Sequence, residues 1–153
     1  MQKLQILNSR EVKGIVDKLT DQFGFKEKLD YAFLLNEKNK VYIINRDVSR
    51  LDYMKLKIDK FGFYFGELKN EEFRLSMEGA WLIGNQAKKN IIDLNDHETK
   101  KYFLGENINK DLGEEKRFIL LRYKQDIIGC AKYKEQIILN FLPKTHRVTD
   151  LII

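Results

Sequence analysis

Between residues 117 and 141 three short apolar runs follow one another, at 118–123, 127–133 and 137–141. Gln125-Asp126 and Glu135-Gln136 are their connections. Runs of this length, rich in isoleucine and bounded by polar turn residues, read as strands. Three strands in so few residues predict a compact, twisted sheet or small β-barrel. Basic side chains punctuate the runs: Arg122, Lys124, Lys132 and Lys134. Within each strand these cations share one parity, and Tyr123 and Tyr133 take the other. The tyrosines therefore belong with the apolar faces. A basic segment follows, Pro143-Lys-Thr-His-Arg147, with the only proline of the chain. Proline fixes φ, so the charges after it are confined to a limited region. Such a barrel, basic on one side, suits a polyanion.

The rest of the chain reads as a mixed domain. Val12, Ile15, Val16, Leu19 and Phe23 follow a helical period over 8–23. Asn8 and Glu11 have capping-box spacing, Leu7 and Val12 staple spacing, and Gly24 is a stop. Residues 31–35 and 41–44 form a hairpin about the polar 36–40 segment. A second helix is expected over 48–61, with Val48, Leu51, Met54 and Ile58 inward. An aromatic stretch, Phe61-Gly-Phe-Tyr-Phe-Gly66, follows it. Phe73, Leu75 and Met77 alternate like a strand, and Ser76 caps a helix toward Gly84. A boundary falls over 84–90, which is polar. Residues 91–94 read as a strand, Asp93 or Asn95 as the cap of a helix to Phe103, and Gly105 as its stop. The expected domains are 1–85 and 90–153.

At 153 residues and 43% hydrophobic content, the chain can bury one ordinary core or two small ones. The net charge of +5 suits an anionic partner without demanding one. It is not segregated: residues 1–89 hold 17 basic against 13 acidic, and residues 90–153 hold 11 against 10. Placement, not totals, must identify a binding surface.

Little in the sequence reads as catalytic. The glycines are isolated, so no phosphate-cradling turn precedes a helix. Gly62 and Gly66 give only a weak G-x-x-x-G. His97 sits in a polar helix start and reads as exposed. His146 sits in the basic segment and reads as a surface or nucleic-acid contact. With Cys130 as the only cysteine, neither an intrachain disulfide nor a multi-thiolate metal site can be built. No metal and no cofactor are expected. Cys130, between Gly129 and Ala131, reads as a buried small hydrophobe. Glu78 stands among Met77, Gly79 and Trp81, either as a paired structural acid or as a helix-start charge. No run is long enough to span a bilayer, and the N-terminus lacks a signal-peptide core, so a cytoplasmic location is expected.

Four segments carry a family resemblance. They are Gly105-Glu-Asn-Ile, Phe118-Ile-Leu-Leu-Arg-Tyr-Lys, Ile128-Gly-Cys-Ala-Lys and Asn140-Phe-Leu-Pro-Lys-Thr-His-Arg-Val148. They resemble the PUA-like carboxy-terminal domain of RsmF-like RNA cytosine methyltransferases of the NOL1/NOP2/Sun type. Leu75-Ser-Met-Glu-Gly-Ala-Trp-Leu-Ile-Gly84 is similar to the segment preceding that domain. His146 stands where an arginine is common in the family, and Cys130-Ala131 replace a glycine-rich pattern. The two-part layout resembles that of Nip7 ribosome-biogenesis proteins, an α/β domain followed by an RNA-binding PUA domain. The catalytic Pro-Cys motif of the methyltransferases is absent.

The resemblance implies an α+β protein: an amino-terminal α/β pre-PUA domain and a small PUA-like β-barrel. It implies a non-catalytic RNA-binding protein of ribosome biogenesis or of rRNA or tRNA modification. Ribosome-assembly or RNA-modifying proteins are further expected partners. Carried over by position, the RNA contacts are Lys144, His146 and Arg147, supported by Arg122 and Lys132. Gly105 and Gly129 are expected to be structural. The competing reading is a protein-interaction module, using the aromatic stretch at 61–65 with Trp81 as its interface. The basic tail has its own alternative, as the element that closes the barrel.

Overall fold

The computed structural model describes residues 3–46 and 62–153. The helix expected over 48–61 lies outside the described residues. Asn8 caps α1 (Ser9–Phe23) through a reciprocal capping box with Glu11, and Gly24 ends it at φ 65°. Ile15, Leu19 and Phe23 bury the expected stripe, and Leu7 and Val12 join the same core.

The first sheet contains β1 (Leu4–Ile6), β2 (Ala32–Asn36), β3 (Lys40–Ile44), β4 (Phe63–Lys69) and β5 (Glu72–Leu75). The strands lie in chain order and each pair is antiparallel. Asn36 shapes the β2–β3 turn, its Oδ1 accepting from the Lys38 and Lys40 amides at 2.9 Å. The glycine-broken aromatic stretch becomes β4. Phe65 fills the core against Phe33 and Phe73, and Tyr64 faces away from it.

Ser76 then caps α2 (Met77–Gly84). The second sheet contains β6 (Ile91–Leu94), β7 (Ile108–Asn109), β8 (Arg117–Tyr123), β9 (Asp126–Lys134) and β10 (Ile137–Leu139). Its order is β6-β8-β9-β10-β7, and β6 runs parallel to β8. Between β6 and β7, α3 (Asp96–Phe103) starts at Asn95, which forms a capping box with Glu98. The expected strand 137–141 stops at Leu139, because Asn140 turns its side chain onto the carbonyls of Tyr102 and Glu106.

Strands β8 and β9 are buried on both faces. Phe118, Leu120, Ile127 and Cys130 pack into the core of the first sheet, whereas Ile119, Leu121, Ile128, Ala131 and Tyr133 form a second core. This explains apolar runs without strict alternation. Helix α2 is wedged between the sheets, with Ala80 and Ile83 buried and the Trp81 indole donating to the Ile128 carbonyl at 3.2 Å. Beside it, Asn90 donates to the Gln22 carbonyl at 2.6 Å and accepts from Arg117 Nε at 3.0 Å. Gln22 in turn bonds both backbone groups of Phe73, at 2.8 and 2.6 Å. The junction between the sheets is thus packed and hydrogen-bonded. Among the described residues, no helix is long and apolar enough to cross a membrane.

Gly14 has room for a side chain. It lies inside α1 with nothing near the position of a Cβ. Gly14→Ala is expected to stabilise the fold by about 0.5–1 kcal/mol through helix propensity. Urea denaturation checks it; a lowered midpoint would mean that α1 has a neighbour at that face.

Candidate nucleic-acid interface

The basic tail is built on Asn140. Its Nδ2 donates to the Tyr102 and Glu106 carbonyls at 2.8 and 2.9 Å, and its Oδ1 accepts from the Leu142 amide at 2.8 Å. Leu142 is buried in the second core. Pro143, at φ −58°, leads into one 3-10 turn, Lys144–His146. Arg147 Nε donates to the Leu142 carbonyl at 3.0 Å, and the Val148 amide donates to the Phe103 carbonyl at 2.9 Å. Gly105, at φ +87°, lies beneath the Arg147 side chain; a Cβ there would stand 2.5 Å from Arg147 Cδ. The tail is thereby stitched to the end of α3, while Lys144, Thr145, His146 and Arg147 stay exposed on its surface.

The five expected RNA contacts separate into different environments. No carboxylate lies within ion-pair distance of Lys144 among the described residues. His146 Nε2 stands 3.4 Å from Glu78 Oε1, which gives that acid a partner across the junction. Arg147 is exposed yet tied down through Nε. Arg122 is in a bidentate pair with Asp93, Nε to Oδ1 at 2.7 Å and Nη2 to Oδ2 at 3.0 Å. Those hydrogen bonds hold the Asp93 carboxyl below its ordinary value. Lys132 reaches Glu72 Oε1 at 3.2 Å, lies over the Phe118 ring, and its side chain is 16% exposed. It ties the second sheet to the first. Arg122 and Lys132 therefore do not join the tail in one basic surface.

The hydroxyls of both tyrosines on the late strands are engaged within the fold. Tyr133 is fully buried, donating to the Gly113 carbonyl at 2.8 Å and accepting from the Leu112 amide at 2.7 Å. Tyr123 donates to Asp96 at 2.7 Å, in an open groove that also contains Asp93, His97, Arg122 and Lys124. Acids and bases alternate there, so the groove has no net preference for phosphate.

Close to the tail, the junction holds residues that the sequence reading did not single out. The Arg74 guanidinium carbon lies 3.8 Å from the centroid of the Phe141 ring. Tyr64, Glu78 and Tyr102 line the same cleft, whose volume is about 70 Å³. Arg74 sits between the core positions Phe73 and Leu75, an alternation that already sends it to the opposite face. Its partner Phe141 could not be read from spacing. Cys130 is buried as expected, and burial pushes its thiol from 9.0 up to about 12.

Comparison with known proteins finds a match for each of two segments. Residues 4–77 match the family model described as the NIP7/UPF0113 pre-PUA domain. Residues 89–148 match the model described as the methyltransferase RsmF PUA domain. A curated relative, ribosomal RNA small subunit methyltransferase F of Aeromonas hydrophila, is 23% identical over 90 residues. That alignment covers 59% of this chain and 19% of the relative.

Proposed function

We propose that this chain, which joins a NIP7-type pre-PUA domain to an RsmF-type PUA domain, is a non-catalytic RNA-binding protein of ribosome biogenesis or rRNA or tRNA modification. The observation that carries the reading is that junction of two domain types in one chain. The relative that shares part of this sequence is, by its name, a ribosomal RNA methyltransferase. A nucleophilic cysteine needs an accessible thiolate. Cys130 is buried with its thiol held protonated, which supports binding over catalysis. We place the pre-PUA domain at 1–85 and the PUA domain at 90–153, and the protein in the cytoplasm.

Within this reading the tail is the RNA-facing surface, with Lys144 foremost, His146 beside it and Arg147 as both contact and closure. Arg122 and Lys132 are peripheral, because each already has a carboxylate. Lys144→Ala is expected to weaken RNA binding and to lower the salt dependence by about one unit of slope or less. Its thermal midpoint should match that of the unmodified protein, since an exposed charge contributes little to stability. Arg147→Ala is expected to lower both affinity and midpoint, because it removes the bond to Leu142 and the cover over Gly105. Titration with ribosomal RNA fragments at several salt concentrations tests this. Unchanged affinity and slope in folded Lys144→Ala would move the RNA surface off the tail.

One observation favours a protein partner. An apolar groove of about 590 Å³ runs beside α1, with Ile6, Val12, Val16, Leu29 and Tyr31 in its lining. A partner there would leave the tail available for RNA. Phe65 is core rather than interface, and Trp81 is half exposed.

A further inference from the structure

Arg74 stands out among the cations near the domain junction. The carboxylates on its own sheet and on α2 are engaged elsewhere: Glu67 with Lys69 at 3.2 Å, Glu72 with Lys132 at 3.2 Å, Glu78 with His146 at 3.4 Å. No carboxylate lies within ion-pair distance of Arg74 among the described residues. Its guanidinium instead rests on the Phe141 ring, 3.8 Å from the centroid. Both residues are partly exposed. A planar cation backed by an aromatic ring is a rigid platform on which a second π-system can stack.

The surroundings can receive the edge of a base but not a whole small molecule. The cleft beneath is about 70 Å³. Pockets that engulf drug-sized ligands are several hundred Å³. Tyr64, Glu78 and Tyr102 line it, Tyr102 being only 2% exposed. These are polar groups for a base edge, not for a phosphate. Lys144 follows Phe141 by three residues and opens the 3-10 turn, so a cation for the adjoining phosphate is near in the chain. Proteins read unpaired RNA bases by this combination of a stacking plane, edge contacts and a neighbouring cation.

We propose that the seam between the two domains holds one unpaired nucleobase of the bound RNA, stacked on Arg74 with Phe141 behind it. This rests on the RNA-binding reading above and gives it a preference: single-stranded over duplex RNA, with both domains contributing to one site.

The test uses the full chain, a short single-stranded oligo(A), and a blunt RNA duplex of equal length. Arg74→Lys keeps the charge and removes the plane. Its affinity for oligo(A) is expected to fall about tenfold, the size of one lost base stack. Its salt slope should not change, since no phosphate contact is lost. Phe141→Leu, which keeps an apolar contact without a ring, should show the same loss if it retains the wild-type thermal midpoint. Duplex affinity should be untouched in both, because duplex bases already stack on one another. Wild-type affinity of both folded variants for oligo(A), or an equal loss on duplex, overturns the stacking site and leaves RNA binding standing. Failure of the unmodified protein to bind either probe overturns the RNA reading itself.

Discussion

Gly79→Ala is expected to destabilise the protein by about 3 kcal/mol, at the upper end of ordinary overpacking. Gly79 lies in the first turn of α2, where a Cβ would collide with the carbonyl oxygen of Phe65. That oxygen cannot move aside cheaply. It accepts the Ser76 amide at 2.9 Å, which fixes the helix start, and it belongs to β4 in the centre of the first core. The helix must therefore shift away from the sheet. Its other side is already occupied: Gly84 is pressed on Ile127, and Trp81 is hydrogen-bonded to Ile128. A shift that relieves one sheet crowds the other. For a chain of this size the loss corresponds to a fall in thermal midpoint of roughly 10 °C. Urea and thermal denaturation measure it. A midpoint within a degree of wild type would show that α2 is not wedged as the contacts indicate.

Those contacts explain what could and could not be read from the residues. Helix α1 carries its own start, stripe and stop within a single segment, from Asn8 to Gly24. The β8 and β9 runs were equally legible, because burial on two faces demands continuous apolar sequence. Strands β1 and β7 were missed. They have three and two residues, too few to show a period, and they exist as partners of β2 and β10. The parallel pairing of β6 with β8 is likewise set by the chain path through α3. Turn boundaries shifted by a residue where left-handed backbone falls on Lys124 instead of a glycine or asparagine.

The candidate site was legible only where it is local. Pro143 and the charges after it announce an exposed basic turn, and they form one. Strand parity correctly put Tyr123 and Tyr133 with the second core. Parity cannot say whether a cation has been neutralised. Asp93 lies 29 residues from Arg122, and Glu72 lies 60 residues from Lys132. Both pairs are products of the tertiary fold. Arg74 and Phe141 meet for the same reason, across the junction. The alternative reading of the tail, as the closure of the barrel, describes Asn140, Leu142 and Arg147; the exposed Lys144 is compatible with contact. One segment thus carries structural and surface-facing residues in alternation.

Cys130 is expected to make the protein labile in alkali and nearly inert to thiol reagents below it. Burial raises its thiol from 9.0 to about 12, so the folded state holds the proton through a range in which the unfolded chain releases it. The unfolded state then binds fewer protons, and stability must fall as pH rises. The loss begins near pH 9, the unfolded value, and ends near the folded one. Its greatest slope is about 1.4 kcal/mol per pH unit for one group. Tyr102 acts in the same direction from about pH 10 upward, since burial also raises its phenol. Below pH 8 both groups are mostly protonated in either state, and stability should be nearly flat with respect to both. Cys130→Ala should flatten the descent between pH 9 and 10 and leave the steeper part that Tyr102 contributes. Near neutral pH the same shift lowers the thiolate fraction, and the thiol is buried, so labelling of the native protein should proceed through unfolding. Denaturant melts across pH 7–11, with thiol labelling of native and unfolded chains at pH 7.5, provide the measurements. A Cys130→Ala variant with an unaltered alkaline slope, or native labelling as fast as that of the unfolded chain, would place the thiol at an accessible surface and reopen a chemical role for it.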